Sequence, residues 1–354
     1  DTTMSMKNLL LKPLITVILV IATLFATGCA ISFKKKQWSL PPKTADQISV
    51  MEFNVENLFD TVHDEGSHDY TYMPFAQKRS DVALQQKCRE TNNSSYRVSE
   101  CLSTDWNEFT LDKKLRNLSE VVLSVDGNGP DVLLLVEVEN QNVLNIWNQK
   151  HLKPAQYQTI AILKGPDLRG INLAVMSRLP MVGQPQLHKI PWKPKNEKDG
   201  EWMNRSRDIF EVTLKAPNGD PITFFVAHFP SQANPVYWRE QATHFLAKLI
   251  KDKGPQAMVV ASGDLNITHE EEKNQKFYEN VLGEVGAVSH FIGCKECKGT
   301  HNYRRSWSFL DAQIYSKALL EDGAGSCKVL PETIDVISYA PIHLKKGKYP
   351  NRWD

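Results

Sequence analysis

Five mostly apolar runs in this sequence end on residues that could hold a cation or handle a proton. Asn54 follows Val50-Met51-Glu52-Phe53, Glu137 follows Leu133-Leu134-Leu135-Val136, and His228 follows Phe224-Phe225-Val226-Ala227. Asp264 and Asn266 follow Val259-Val260-Ala261-Ser262-Gly263, and Asp311 follows Ser308-Phe309-Leu310. A carboxylate and an amide oxygen suit a hard cation such as Mg2+, which keeps most of its waters. A softer metal would call for His and Cys. Taken singly, each residue has a plainer reading: Asn or Asp after a strand is usually a turn former, and a lone His is more often a hydrogen-bonded structural residue. Glu137 fits that reading least, because a carboxylate closing a wholly apolar run is costly unless it is paired or metal-bound. It is the ordered combination that points to a site. Strand ends on one side of a sheet lie near one another, so such a rim gathers carboxylates, amides and an imidazole without any local motif.

The elements that would position these residues follow from periodicity. Ile48 to Phe53 reads as a strand entering the core. The stretch from Thr61 to Phe109 is polar and irregular and reads as a long surface insertion. Leu111, Leu115, Leu118, Val122 and Val125 recur at helical spacing, and Asp126-Gly127-Asn128-Gly129-Pro130 ends that helix. Val132 to Val136 is a buried strand; Tyr157 to Leu163 and Ile171 to Met176 are further strands. Ile209 to Leu214 and Ile222 to Ala227 form a hairpin across Asn218-Gly219. Val236 to Ile250 is a helix with Trp238, Ala242, Phe245 and Leu249 on one face, Met258 to Ala261 a buried strand, and Trp307 to Tyr315 one more. Mixed strands and helices of this kind predict an α+β fold, a two-layer β-sandwich core flanked by helices. The chain has 354 residues, 41% hydrophobic and 23% charged, enough for a sizeable core. Its formal net charge of +1 leaves the substrate open, since a local basic groove suffices for nucleic acid.

The first 28 residues read as a targeting segment. Lys7 and Lys12 precede an apolar run from Leu14 to Phe25, and Ala26-Thr27-Gly28-Cys29 follows. This resembles a bacterial lipoprotein signal in which Cys29 is lipidated. A transmembrane anchor or a plain secretory signal is the alternative, but the run is short for the roughly 20 residues of a span. Ala30 after the cysteine gives no reason for inner-membrane retention. The expected organisation is a signal over 1–28, a tether over 29–45 and one domain over 46–354. Location would be the periplasm, the outer membrane through its lipid, or the cell surface. Export implies an oxidising compartment. Cys88 and Cys101 could close a loop within the insertion, Cys294 and Cys297 form a CxxC, and Cys327 is left over. Disulfides are expected. A zinc site from Cys294, Cys297, His290 and His301 is the rival, and sequence alone does not settle the pairing.

Asn54-Val55-Glu56-Asn57-Leu58-Phe59 resembles the opening motif of the endonuclease/exonuclease/phosphatase (DNase I-like) superfamily. Glu137-Val138-Glu139-Asn140, Ala227-His228-Phe229-Pro230-Ser231, Gly263-Asp264-Leu265-Asn266 and Leu310-Asp311-Ala312-Gln313-Ile314 resemble its later motifs, in order. The resemblance implies a metal-dependent phosphodiesterase. Glu137 would be the main Mg2+ ligand and Asn54 a weaker or water-mediated one, with Mn2+ or Ca2+ as substitutes. Asp264 would orient or deprotonate the attacking water, Asn266 would donate to the phosphate, and His228 would contact a phosphate oxygen and could protonate the leaving group. Arg207 resembles the family's phosphate-contacting arginine; a solvated strand-edge charge is the plain alternative. Family members end with a Ser-Asp-His motif whose His pairs with the position of Asp311, and this sequence shows none. The expectation is a sequence that stops short of that motif, with activity restored by the downstream residues.

Nucleic acid is the favoured substrate. An exported enzyme meets extracellular DNA, and Tyr303, Arg304, Arg305 and Trp307 interleave bases with aromatics near Asp311. A core Trp beside solvated arginines is the plain reading of that run. A lipid or small-molecule phosphodiesterase of the same fold and an inactive surface lipoprotein are the alternatives. A monomer is expected.

Overall fold

A computed structural model describes residues 43–338 together with 344–345 and 349–350. Cys29, the signal segment and most of the tether lie outside the described residues. The first sheet holds β1 (Val50–Leu58), β2 (Val132–Val138), β3 (Thr159–Ile162) and β4 (Asn172–Ser177) in the order β1-β2-β4-β3. The second holds β5 (Gln186–His188), β6 (Ile209–Lys215), β7 (Pro221–His228), β8 (Val259–Asp264) and β9 (Gly286–Val288). A small hairpin, β10 (His301–Tyr303) with β11 (Ser306–Ser308), precedes β12 (Asp311–Ser316), which returns to the second sheet. The order there is β5-β6-β7-β8-β12-β9. Each sheet has one parallel pair among antiparallel neighbours, β1 with β2 and β7 with β8.

The sheets face each other across one apolar layer. Val132, Leu134 and Val136 of β2 and Leu173 and Val175 of β4 meet Phe210, Val212, Phe224, Val226 and Val260 of the second sheet. Side chains alternate along a strand, so Phe225, Ala227, Val259 and Ala261 point the other way. There they pack on Ala242, Leu246 and Ile250 of the helix Val236–Asp252. Leu133 and Leu135 are also fully buried, which explains the unbroken apolar run of β2. The α+β two-layer sandwich with outer helices is therefore the fold.

Two expectations change. The stretch 61–109 is not irregular. It contains helices Phe75–Ser80, Val82–Thr91 and Ser95–Ser103, closed by the Cys88–Cys101 disulfide around a small core of Tyr70, Met73 and both cysteines. The second and third of these helices are N-capped by Asp81 and Ser94, whose side chains accept backbone N–H groups that have no partner within the helix. The single strand expected over Trp307 to Tyr315 is two, β11 and β12, broken at Phe309-Leu310. Cys294 and Cys297 are also joined as a disulfide, and the ring of His290 is packed among Tyr278, Phe291 and Phe309.

Candidate active site

The parallel pairs bring their C-terminal ends to one rim, and local backbone distortions aim the side chains. Between Asn54↔Val136 and Leu58↔Val138 the register slips, so three residues of β1 stand opposite Glu137 alone. Glu56, Asn57 and Glu137 all have left-handed φ (50°, 60° and 67°), as does Asn266 (53°). Such conformations cost free energy in residues with a β-carbon and cluster at functional sites. The bulge directs the Asn57 N–H to Glu137 Oε2 at 3.0 Å. Across the second sheet, His228 pairs with Asp264, and Asp264 with Asp311. Gly263 permits this approach: a β-carbon there would lie 1.8 Å from the Ala227 carbonyl oxygen.

The two sheets then share one polar cluster. Asn54 Nδ2 donates to Asp264 Oδ2 at 3.2 Å and reaches Glu137 Oε1 at 3.4 Å, and its Oδ1 accepts from the Glu56 N–H at 2.8 Å. The Nε2 of His228 lies 3.8 Å from both Glu137 Oε1 and Asp264 Oδ2. Asn266 donates its own N–H to Asp264 Oδ1 at 2.9 Å and one side-chain N–H to the Phe229 carbonyl at 3.1 Å. Burial first, then the charge of Asp311, pushes the Asp264 carboxyl well above its ordinary range. Asp311 is raised to about 6, mainly by burial and also by Glu137. Burial, with Arg207 and Arg169, holds His228 neutral.

Of the residues singled out in the sequence, Asn54, Glu137, His228, Asp264, Asn266 and Asp311 come together. Arg207 lies just behind the rim, and its charge acts on both Glu137 and His228. Its side chain is 10% exposed, and its guanidinium donates to the carbonyls of His228 (3.1 Å) and Phe229 (2.8 Å) and to Asp167 (3.1 Å). It therefore braces the His228 turn from behind. Arg169 shares Asp167, keeps 58% of its side chain in solvent, and is close enough for its charge to act on Glu137 and His228. Sequence reasoning missed it because Asp167-Leu168-Arg169-Gly170 is a turn with no strand-end signature. Two more were missed. Tyr72, stacked on Phe59, comes from the disulfide-closed insertion and feels the charge of Glu137. Glu52, two residues before Asn54 on β1, is pushed well above the carboxylate range by burial, then by Asp311 and Asp264.

The cluster's chemistry fits a hard divalent cation. Among the described residues, Glu137, Asp264 and Asp311 form no ion pair with Lys or Arg, and Asp311 Oδ1 and Glu52 Oε1 are buried without a hydrogen-bond donor. All candidate ligands are oxygens except His228. Asn54 would have to turn its amide, or act through water, to offer its oxygen.

A family model described as the endonuclease/exonuclease/phosphatase family matches residues 90–353. No curated protein matches the chain. Among solved structures, the chain is similar to a humanized D. rerio TDP2 with 14 mutations. The identity is 16% over 59% of this chain and 78% of that one, with a TM-score of 0.45. It is also similar to an endonuclease/exonuclease/phosphatase from Beutenbergia cavernae (16%, 58% and 59%, 0.46) and to a beta-hairpin deletion mutant of Staphylococcus aureus beta toxin (12%, 82% and 93%, 0.44). At these TM-scores the likenesses carry no inference about activity. With most of its length matched by the family model, the chain belongs to the endonuclease/exonuclease/phosphatase family, whose members are hydrolases of phosphodiester bonds and generally depend on a divalent metal.

Proposed function

We propose that this protein is an exported Mg2+-dependent phosphodiesterase that cleaves DNA or RNA internally, tethered to a membrane through lipid on Cys29 and acting as a monomer. The observation that carries the catalytic reading is the contact of both sheets at one point: Asn54 bridges Glu137 and Asp264 while His228 Nε2 stands 3.8 Å from each. Glu137 would hold the metal, with Asn54 and Asp311 nearby; Mn2+ or Ca2+ are the substitutes to test. When bound, the metal would neutralise charge building on the phosphoryl oxygens.

The chain's own residues account for the rest. Asp264, with its raised proton affinity, orients the attacking water and takes its proton as the new bond to phosphorus forms in line with the departing oxygen. Neutral His228 acts as a hydrogen-bond donor to a phosphoryl oxygen, because burial opposes storing a second proton there. Asn266 has one side-chain N–H beyond its bond to Phe229, available to the same phosphate. Arg169 replaces Arg207 as the guanidinium that meets substrate, and Arg207 keeps the His228 turn in place.

The export signature at the N-terminus and the bases beside aromatics at Tyr303 to Trp307 support nucleic acid as substrate. Supercoiled plasmid nicked in Mg2+ and left intact in chelator is the expected result. Hydrolysis confined to sphingomyelin or phosphoinositides in a parallel panel would refute the nuclease assignment. Activity that fractionates with membranes and is released by Cys29→Ser is expected from the lipid tether; equal release from the unaltered protein would remove it.

A further inference from the structure

The hairpin ahead of Asp311 has a turn that its residues are poorly suited to make. The pairs His301↔Ser308, Asn302↔Trp307 and Tyr303↔Ser306 leave Arg304-Arg305 as a two-residue loop. Both residues have left-handed φ, 48° and 74°. Two-residue hairpin turns of this kind are made without strain by Asn-Gly, and a β-carbon carries a steric cost at each position. No ion pair or hydrogen bond of the two arginines among the described residues offsets it, although the strand His301–Tyr303 packs beside the strand Tyr349–Pro350. Both arginines are exposed and neither forms an ion pair or hydrogen bond there. The Arg304 guanidinium lies over the Tyr303 ring, 5.2 Å from its centroid. Tyr303 is 62% exposed. Strain retained without an internal return is expected where a ligand supplies it.

The stalk of the hairpin is tied to the rim. Thr300 N donates to the Ser308 carbonyl at 2.9 Å, and Asp311 N donates to Thr300 Oγ1 at 3.1 Å. Three residues at about 3.3 Å each place the tip roughly 10 Å from Thr300, a reach of about one or two nucleotides. Lys295 and Lys298 are exposed on the approach to the stalk, making this stretch basic in a chain that is nearly neutral overall.

Resting on the nuclease reading, we propose that this hairpin binds single-stranded nucleic acid beside the scissile phosphodiester. Tyr303, stacked on one face by Arg304, takes a base on the other, and Arg304 and Arg305 hold the adjoining phosphates. A lipid surface is less suited, because the tip offers one aromatic ring and Trp307 on the stalk is half-buried.

The test measures binding of a labelled single-stranded oligonucleotide in chelator, where cleavage does not enter, alongside turnover of bis(4-nitrophenyl) phosphate in Mg2+. The variants are the double Arg304→Asn/Arg305→Gly, whose residues favour the same turn, and Tyr303→Ala. The double variant is expected to weaken binding tenfold or more and to lower the salt slope by roughly one. Its Tm should stay the same or rise, and small-diester turnover should stay within about twofold. Tyr303→Ala is expected to weaken binding at least about fivefold. Unchanged oligonucleotide affinity, or no binding by the unaltered protein, overturns the proposal. A parallel loss of small-diester turnover also overturns it, since the hairpin would then only support Asp311. Loss of binding to phosphatidylserine vesicles with oligonucleotide affinity intact would assign the tip to membranes instead. If the unaltered protein binds the oligonucleotide but hydrolyses neither substrate, the catalytic reading fails and the hairpin assignment stands.

Discussion

Glu137 and Glu139 are two residues apart at the same strand end, and each sits in a cluster of carboxylates. Around Glu139 the acids are matched by N–H groups. Asp60 N donates to Glu139 Oε2, Val62 N and the Asn142 side chain to Asp60, the Asn140 side chain to Asp60 and Asp64, and Asp64 N to Asp69. Burial, then Asp60, Asp64 and Asp69, raises Glu139 to about 9, so it holds its proton at neutral pH. Around Glu137 the donors are few, oxygens of Asp311 and Glu52 lack any, and carboxylates from two sheets face one another. The difference is between carboxyl oxygens that neighbouring N–H groups satisfy and carboxyl oxygens left without a donor and open to a cation.

That contrast can be broken most strongly by substitution. Glu137→Gln and Asp264→Asn should each lower phosphodiester hydrolysis by about a thousandfold or more, with Tm unchanged or higher because like charges no longer face each other. Retained activity would erase the distinction. Acid titration in chelator comes next, and the signs are opposite for two groups. Burial lowers His290 to about 4 from 6.5, so stability is lost as pH falls through that window. Asp311, raised to about 6 from 3.8, gives stability that is present at low pH and lost as pH rises through 6. Each contributes on the order of 3 kcal/mol. His290→Phe should therefore be more stable at pH 4 than at pH 6.5, relative to the unaltered protein, and Asp311→Asn less so. Chemical unfolding at the two pH values checks both, and a shift of the wrong sign in either would be decisive. The smallest effect belongs to Glu139→Leu, which near pH 4, where the carboxyl is protonated in the folded and unfolded chain alike, should cost about 1–3 kcal/mol of stability by leaving the Asp60 N–H without its acceptor. Its activity per folded molecule should be retained.

Much of the rim was legible because β2, β7 and β8 are apolar on both faces, so Glu137, His228 and Asp264 stand out at their ends. Glu52 was not, since Met51-Glu52-Phe53 alternates like a strand with one wet face; the opposing sheet turns that face into an interior. Arg207 stood out beside the right strand, but spacing does not say that its guanidinium bonds the carbonyls of His228 and Phe229 and the Asp167 carboxylate. Arg169 and Tyr72 reach the rim from a loop and from the insertion, through tertiary contacts that leave no periodic trace. The insertion itself looked irregular because its helices are short and polar and its core is small.

The most direct measurement is Mn2+ binding followed by electron paramagnetic resonance, comparing the unaltered protein with Glu137→Gln and Glu139→Gln. One tightly held ion, lost on changing Glu137 and kept on changing Glu139, is the expected result. An ion held equally well by all three proteins would contradict the assignment of the metal to the rim.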